Sequence, residues 1–277
     1  VSSPSEKVRL PACLPLLVLL VFPSISACTC SKTPASITLA TTTSTYDSGL
    51  LGELIPPFEK EQGVTVKVVA VGSGQALALE ESGDADVLLV HDPQAEEGFM
   101  AKGLGEVRRR VMYNDFIIVG PPQDPAGIQG LKDATQALSG IARAGVPFVS
   151  RGDNSGTYSK EKALWKMTGI TPEGAWYLSA GQGMGETLNL AREKGAYTLS
   201  DRATFLAQRK PGLDILVEGD PALLNIYHVI LVKGLSGEKA ELARKLMDYF
   251  TSAETQERIA SFGVEKYGQR LFFPYPD

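Results

Sequence analysis

Histidine and cysteine are nearly missing from this chain. His91 and His228 are its only histidines, and its three cysteines, Cys13, Cys28 and Cys30, all fall within the first thirty residues. The body therefore holds no thiol nucleophile, no disulfide framework and no Cys/His cluster for zinc, so no metal cation is expected. Chemistry that depends on histidine has little to work with. An excess of basic charge is also lacking: 27 Lys and Arg against 32 Asp and Glu leave a net −5, which argues against a nucleic-acid partner. Extreme composition is absent as well. With 43% hydrophobic and 21% charged residues, the chain is neither disordered nor fibrous. Its 277 residues give room for one large domain or two of ordinary size.

The apolar stretch from Leu10 to Phe22 is interrupted by Pro11 and Pro15 and is too short and broken for a durable membrane span. Lys7 and Arg9 precede it, and Ile25-Ser26-Ala27-Cys28 follows. This reads as a secretory signal peptide over 1–27. The end of it resembles a bacterial lipobox, with Cys28 as the lipidated residue and 28–35 as a tether. The alternative is ordinary cleavage after Ala27, releasing a soluble protein. Cys30 falls in the tether and has no assigned role. Both readings put the protein outside the cytoplasm, in the periplasm or on the cell surface, and the lipobox adds a membrane anchor.

From Ser36 onward, short apolar runs alternate with helical stretches. Strands are expected at Ile37–Ala40, Val64–Val71, Ala85–Val90 and Tyr113–Val119. Helices are expected at Ser48–Gly63, Gln75–Ser82 and Ala95–Lys102, the first kinked or broken by Pro56-Pro57. This order predicts a parallel sheet with helices on both faces. Gly120-Pro121-Pro122 then punctuates the chain. A second α/β set follows, with helices at Leu131–Ala144, Ser155–Thr168, Met184–Lys194 and Asp201–Gln208, and strands at Pro147–Ser150, Ala196–Leu199 and Ile215–Val217. Gly219-Asp220-Pro221 punctuates again. The strand Ile226–Val232 and the helices Glu238–Thr251 and Ala253–Phe262 close the pattern. Two punctuation points predict two crossings between two lobes, 36–121 with 220–277 forming lobe I and 122–219 forming lobe II. Two α/β lobes behind an export signal form a common solute trap.

Three segments sit between a strand end and a helix start, where open α/β sheets bind ligands. Thr41, Thr42, Thr43, Ser44 and Thr45 follow the first strand. Hydroxyls add donors without negative charge, and more adjacent caps than one helix can use point to a ligand. Val71-Gly72-Ser73-Gly74-Gln75 allows close backbone approach and offers the Ser73 hydroxyl. It lacks the third glycine of a dinucleotide site and the Gly-Lys-Ser/Thr of a P-loop. Ser150-Arg151-Gly152-Asp153-Asn154-Ser155-Gly156-Thr157 is the most informative. A guanidinium fork suits a tetrahedral oxyanion, and Ser155, Gly156 and Thr157 open a helix whose N–H groups favour an anion. The plain alternative keeps Asp153 or Asn154 as an N-cap and Arg151 as a surface charge. Two residues stand between Gly152 and Ser155, so this is not a hydrolase elbow.

Gly181–Glu186 precedes another helix and offers backbone donors or merely a flexible loop. Asp201 reads as an N-cap, or else as a carboxylate orienting Arg151 or Arg202. His91, at a strand end, and His228, inside a strand, read as structural.

Taken together, TTTSTYDSGLL, VAVGSGQAL, DVLLVHDP, YNDFIIVGP, FVSRGDNSGT and AYTLSDRATF resemble the tungstate-binding proteins of tungstate ABC importers, a branch of the periplasmic oxyanion-binding proteins. The likeness runs from Ile37 to the end of the chain. The family pattern usually has a second Asp at Asn154 and a His at Tyr158. The resemblance implies an α/β two-lobe periplasmic binding protein of type II, closing on its ligand with two crossings between lobes. It implies ligand contacts at Thr41, Thr42, Thr43, Ser44, Ser73, Arg151, Ser155, Gly156 and Thr157. The expected activity is capture of a tetrahedral oxyanion without covalent change, for delivery by a monomer to the permease and ATPase subunits of an ABC importer. No cofactor is expected beyond the bound oxyanion itself. Tungstate and molybdate are fully deprotonated near neutral pH, whereas phosphate keeps a proton and profits from an acceptor carboxylate. The donor-rich segments favour tungstate, with molybdate or phosphate as alternatives. An exported hydrolase using Ser155 would need a base, and no third group stands with either histidine.

Overall fold

The structure, a computed structural model, describes residues 1–2, 35–208 and 211–277. The signal peptide, Cys28, Cys30 and nearly all of the tether lie outside the described residues. The chain divides into two units, Val1–Thr33 and Pro34–Asp277, and the fold is that of the second. Among the described residues no helix is long and apolar enough to cross a membrane.

The first half runs β1 (Ser36–Thr42), α1 (Thr43–Asp47), α2 (Leu50–Gln62), β2 (Thr65–Val71), α3 (Ser73–Glu81), β3 (Val87–Val90), α4 (Pro93–Ala101) and β4 (Gly105–Gly120). The second half holds α5 (Ala134–Ala144), β5 (Phe148–Ser150), α6 (Gly156–Thr168), β6 (Tyr177–Ser179), α7 (Met184–Lys194), β7 (Thr198–Asp201), α8 (Arg202–Gln208) and β8 (Asp214–Val217). A single 3-10 turn, Pro221–Leu223, leads back to β9 (Leu224–Val232), α9 (Gly237–Thr251), α10 (Ala253–Ser261), α11 (Val264–Tyr267) and β10 (Phe273–Pro274).

The first sheet has the order β10-β4-β9-β3-β1-β2. It is mixed rather than wholly parallel. β1 pairs parallel with β2 and β3, but β9 enters antiparallel between β3 and β4. A strand returning from a distant part of the chain needs no crossover helix and is free to take either direction. β4 changes partners along its length. It pairs with β9 from Gly105 to Asp115 and with β7 and β8 from Phe116 to Gly120. One strand thus serves both halves. The alternation of its last residues shows burial on both faces: Phe116 and Ile118 join one apolar cluster with Phe148, Trp165 and Tyr197. Ile117 and Val119 join another with Val149 and Leu188. β3 behaves alike, with Val87 and Leu89 packed with Leu54, Phe58 and Phe250, and Leu88 and Val90 packed with Ala76 and Phe99. Each such side chain contributes about 1.5–3 kcal/mol by leaving water.

Two local expectations fail. α2 runs unbroken through Pro56 and Pro57. The carbonyls they deprive of donors belong to Gly52 and Glu53, which are on the exposed side of the helix, where solvent can reach them. The other is β4, which begins at Gly105 rather than Tyr113. The expected strand leaves out the charged run Arg108-Arg109-Arg110, yet each arginine meets a carboxylate from elsewhere: Glu96, Asp248 and Asp277. β6, α11 and β10 carry too little pattern to be seen in sequence.

Candidate functional site

β1 ends in a run of hydroxyls that serve two purposes. Thr41 donates to the Leu89 carbonyl at 2.9 Å and lies 2.8 Å from Thr45 Oγ1. Thr45 donates to the Thr42 carbonyl at 2.8 Å. These bonds stitch β1 to β3 and shape the turn into α1. Thr42 Oγ1 lies 3.0 Å from Ser44 Oγ. Ser44 Oγ is in turn 3.3 Å from both His91 Nε2 and the Tyr227 hydroxyl. Thr43 Oγ1 accepts from Arg151 Nη2 at 3.4 Å, so the first and second halves of the chain meet there.

Arg151 follows β5 directly and is buried, 4% exposed. The reading of it as a surface charge is overturned: β5 delivers it to the inside of the molecule. Asp153 holds it, accepting from Arg151 Nε at 2.9 Å through one oxygen and from the Ser155 N–H at 3.0 Å through the other. Ser155, rather than Asp153 or Asn154, is the N-cap of α6, accepting from the Tyr158 N–H at 3.1 Å. Both places where the sequence departs from the family pattern, Asn154 and Tyr158, therefore leave the cap intact. Asn154 contributes its carbonyl, which accepts from the Gly74 N–H at 3.1 Å.

Two glycines allow the close approach. A Cβ on Gly72 would lie 2.8 Å from the Asn154 carbonyl oxygen. A Cβ on Gly156 would lie 2.8 Å from His91 Nδ1 and 2.9 Å from Ser73 Oγ. The N-terminus of α6, the Ser73 hydroxyl and the His91 ring therefore converge. Ser73 Oγ, Thr157 Oγ1 and His91 Nδ1 are buried without partners among the described residues. Buried polar atoms normally have partners, so three orphans beside a buried guanidinium fit an anion that accepts from hydroxyls, N–H groups and arginine together.

Around this cluster burial shifts two further titratable groups. Burial, reinforced by the Arg151 guanidinium, pushes the His91 pKa down to about 3. Burial raises the pKa of Asp201 against hydrogen bonds from Thr204. Asp201 caps α8 through the Thr204 N–H at 2.9 Å. Arg202 goes instead to Asp115 and Glu218, at 2.5 and 2.7 Å. Of the Gly181–Glu186 segment, Gly181 donates its N–H to the Arg151 carbonyl at 2.9 Å, while Gln182 and Glu186 line a separate groove. His228 lies 2.8 Å from the Glu96 carboxylate in β9, away from the donors. Sequence reasoning missed Asn114, Asn225, Tyr227 and Lys160. Asn114 and Asn225 face each other across β4 and β9 and share a 2.8 Å bond. Nothing in their sequence context marks them. His91 differs: its place at a strand end was the available signal.

Two α/β halves meeting around a buried arginine and unpartnered neutral donors form the architecture of a solute-binding protein. A family model described as a PBP superfamily domain matches residues 29–254. The tungstate-binding protein TupA of Peptoclostridium acidaminophilum is 51% identical over 249 residues, covering 88% of this chain and 87% of that protein. A solved structure described as the tungstate ABC transporter from Geobacter sulfurreducens is 50% identical, with a TM-score of 0.75 over 82% of this chain and 98% of that one. The TupA structure from Desulfovibrio alaskensis G20 is 44% identical, also at 0.75, over 88% and 100%. The chain belongs to the PBP superfamily and, within it, to the family of the tungstate-binding proteins TupA. The family that the six motifs resemble is the family found.

Proposed function

We propose that this protein captures tungstate outside the cytoplasm and hands it to the permease and ATPase of an ABC importer, acting as a monomer and without catalysis. The observation that carries the reading is the buried Arg151 beside the orphaned hydroxyls of Ser73 and Thr157 at the N-terminus of α6. Thr43 and the backbone N–H groups of Gly156 and Thr157 complete the donor set, while Ser155, its N–H given to Asp153 and its hydroxyl to the cap of α6, shapes the site together with Thr41, Thr42 and Ser44. Asp153, the carboxylate nearest Arg151, already has a donor on each oxygen. Both oxygens are thus engaged in holding Arg151 and the turn before α6, and the remaining groups around the site are donors, which suits a fully deprotonated anion. The similarity to proteins described as tungstate-binding supports the same choice. Competitive calorimetry with tungstate, molybdate, sulfate and phosphate tests it. Tight tungstate binding with weak phosphate binding is expected; preference for phosphate would overturn it.

We further infer that 36–121 with 220–277 and 122–219 act as two lobes, hinged where β4 changes partners and near the turn at Pro221–Leu223. Cys28 is proposed as the lipid anchor, with 28–35 as its tether. Cys28→Ala should then release the protein from membranes in a fractionation assay without changing tungstate affinity.

A further inference from the structure

His91 is 4% exposed and stands where β3 gives way to α4. Its ring is pinned on several sides. Tyr227 lies 4.7 Å away between ring centroids and Phe116 6.2 Å away. The turn that follows is anchored by Glu96, which accepts from the Asp92 N–H at 2.8 Å and is itself buried against Arg108 and His228. A ring so held presents its two nitrogens to fixed neighbours. Nε2 faces Ser44 Oγ at 3.3 Å. Nδ1 is buried and unpartnered among the described residues, beside Ser73 Oγ and the first residue of α6.

The hydroxyl partners on the Nε2 side orient the proton. Asn225 Nδ2 donates to the Tyr227 hydroxyl oxygen at 3.1 Å, and the Tyr227 hydroxyl and Ser44 Oγ lie 3.3 Å apart, a pair in which Tyr227 can donate. Ser44 then has its own hydrogen to give, and His91 Nε2 at 3.3 Å can accept it, as can Thr42 Oγ1 at 3.0 Å. A neutral imidazole has one donor and one acceptor nitrogen. If Nε2 accepts, Nδ1 carries the hydrogen and aims it at the donor cluster. The opposite tautomer would direct a lone pair at the oxygen of a bound anion.

We propose that His91 is a specificity-determining ligand of the anion site, donating Nδ1–H to one oxygen of a tetrahedral dianion. Ser44 and Tyr227 are positioning residues that hold this tautomer. The inference rests on the reading of the site as an oxyanion trap. Burial and the nearby Arg151 keep the ring neutral, so it adds a directed hydrogen bond without adding charge. Because the ring cannot shift, its N–H is a fixed point in the cavity wall. A smaller anion such as sulfate reaches fewer of the donors at once.

The test uses the whole protein with tungstate and sulfate. His91→Ala should weaken tungstate binding by about 10- to 150-fold, the range for losing one hydrogen bond to a charged group, and sulfate binding much less. His91→Gln, which retains an amide donor, should recover part of the loss and serves if the alanine variant fails to fold. Nitrogen-15 spectra of histidine-labelled protein saturated with tungstate should show His91 in the Nδ1–H form, and Tyr227→Phe should mix the tautomers. Unchanged tungstate affinity in folded His91→Ala and His91→Gln, or an Nε2–H tautomer in the complex, overturns the inference alone. Failure of the wild-type protein to bind tungstate overturns the reading of the site and the inference with it.

Discussion

Arg151 is a cation with almost no contact with water, and Asp153 alone does not account for it. A dianion leaving water loses much hydration energy, which neutral donors do not fully replace. A charge-assisted bond is worth about twice a neutral one. Arg151→Ala should therefore cost about 2–5 kcal/mol of tungstate binding, roughly thirtyfold to several-thousandfold. Arg151→Lys should fall between it and wild type, because an ammonium keeps the charge and loses the fork. Thr157→Ala removes one neutral donor and should cost about 1–3 kcal/mol. Titration calorimetry reads the order, and near wild-type affinity in Arg151→Ala would remove arginine from the site. Glu161 on α6 gives a second residue-scale prediction. Burial raises its pKa from the usual 4.5 to about 7, against the Tyr177 hydroxyl, which donates to it at 2.6 Å. The folded state thus keeps a proton that the unfolded state has lost, so stability falls as pH rises from about 4.5 to about 7 and levels above that. The loss is on the order of 3 kcal/mol. Glu161→Gln should abolish this slope in urea unfolding followed across that range; an unchanged slope would assign it to other groups.

α6 is the element on which the site depends. Its N-terminus supplies Ser155, Gly156 and Thr157. Lys160, one turn further on, donates to the carbonyls of Ala222 and Leu224 at 3.0 and 3.1 Å, fixing the helix to the 3-10 turn that leads into β9. Gly156→Ala separates packing from helix propensity. Alanine favours a helix by up to about 1 kcal/mol over glycine, which offsets only part of the packing cost, so thermal stability should fall modestly. Its methyl would press on His91 and Ser73, and overpacking of this kind costs about 1–3 kcal/mol. Tungstate affinity should drop about 5- to 150-fold. Wild-type affinity in this variant would mean that the helix start and the His91 ring separate when the anion binds.

At the scale of the molecule, donors from both halves already touch. Arg151 reaches Thr43, and Gly74 donates to Asn154. If the two proposed lobes move against each other, these are the contacts that must part for an anion to enter. Small-angle scattering should show a smaller radius of gyration with tungstate than without it. An equal radius together with tight binding would point to a cleft closed before the ligand arrives.

Much of the fold was legible because it rests on local rules. Apolar runs such as Val87–Val90, capping residues before helices and the Gly-Pro punctuation each act over a few residues, and α7 is found where its pattern predicts. The three strand-to-helix segments were legible for the same reason, since a strand end followed by hydroxyls and glycines is a local pattern. What the sequence could not decide depends on partners far away in the chain. β4 extends through three arginines because Glu96, Asp248 and Asp277 meet them. β9 returns from the far half and enters antiparallel between β3 and β4, a direction that no local pattern sets. Asn114 and Asn225 matter because register sets them opposite each other, 111 positions apart. His91 is the sharpest case. Alone it is an ordinary buried histidine; the tertiary structure brings Ser44 to one nitrogen and the start of α6 to the other. Which atoms share a buried space is set by packing between distant segments, and residue pattern carries no record of it.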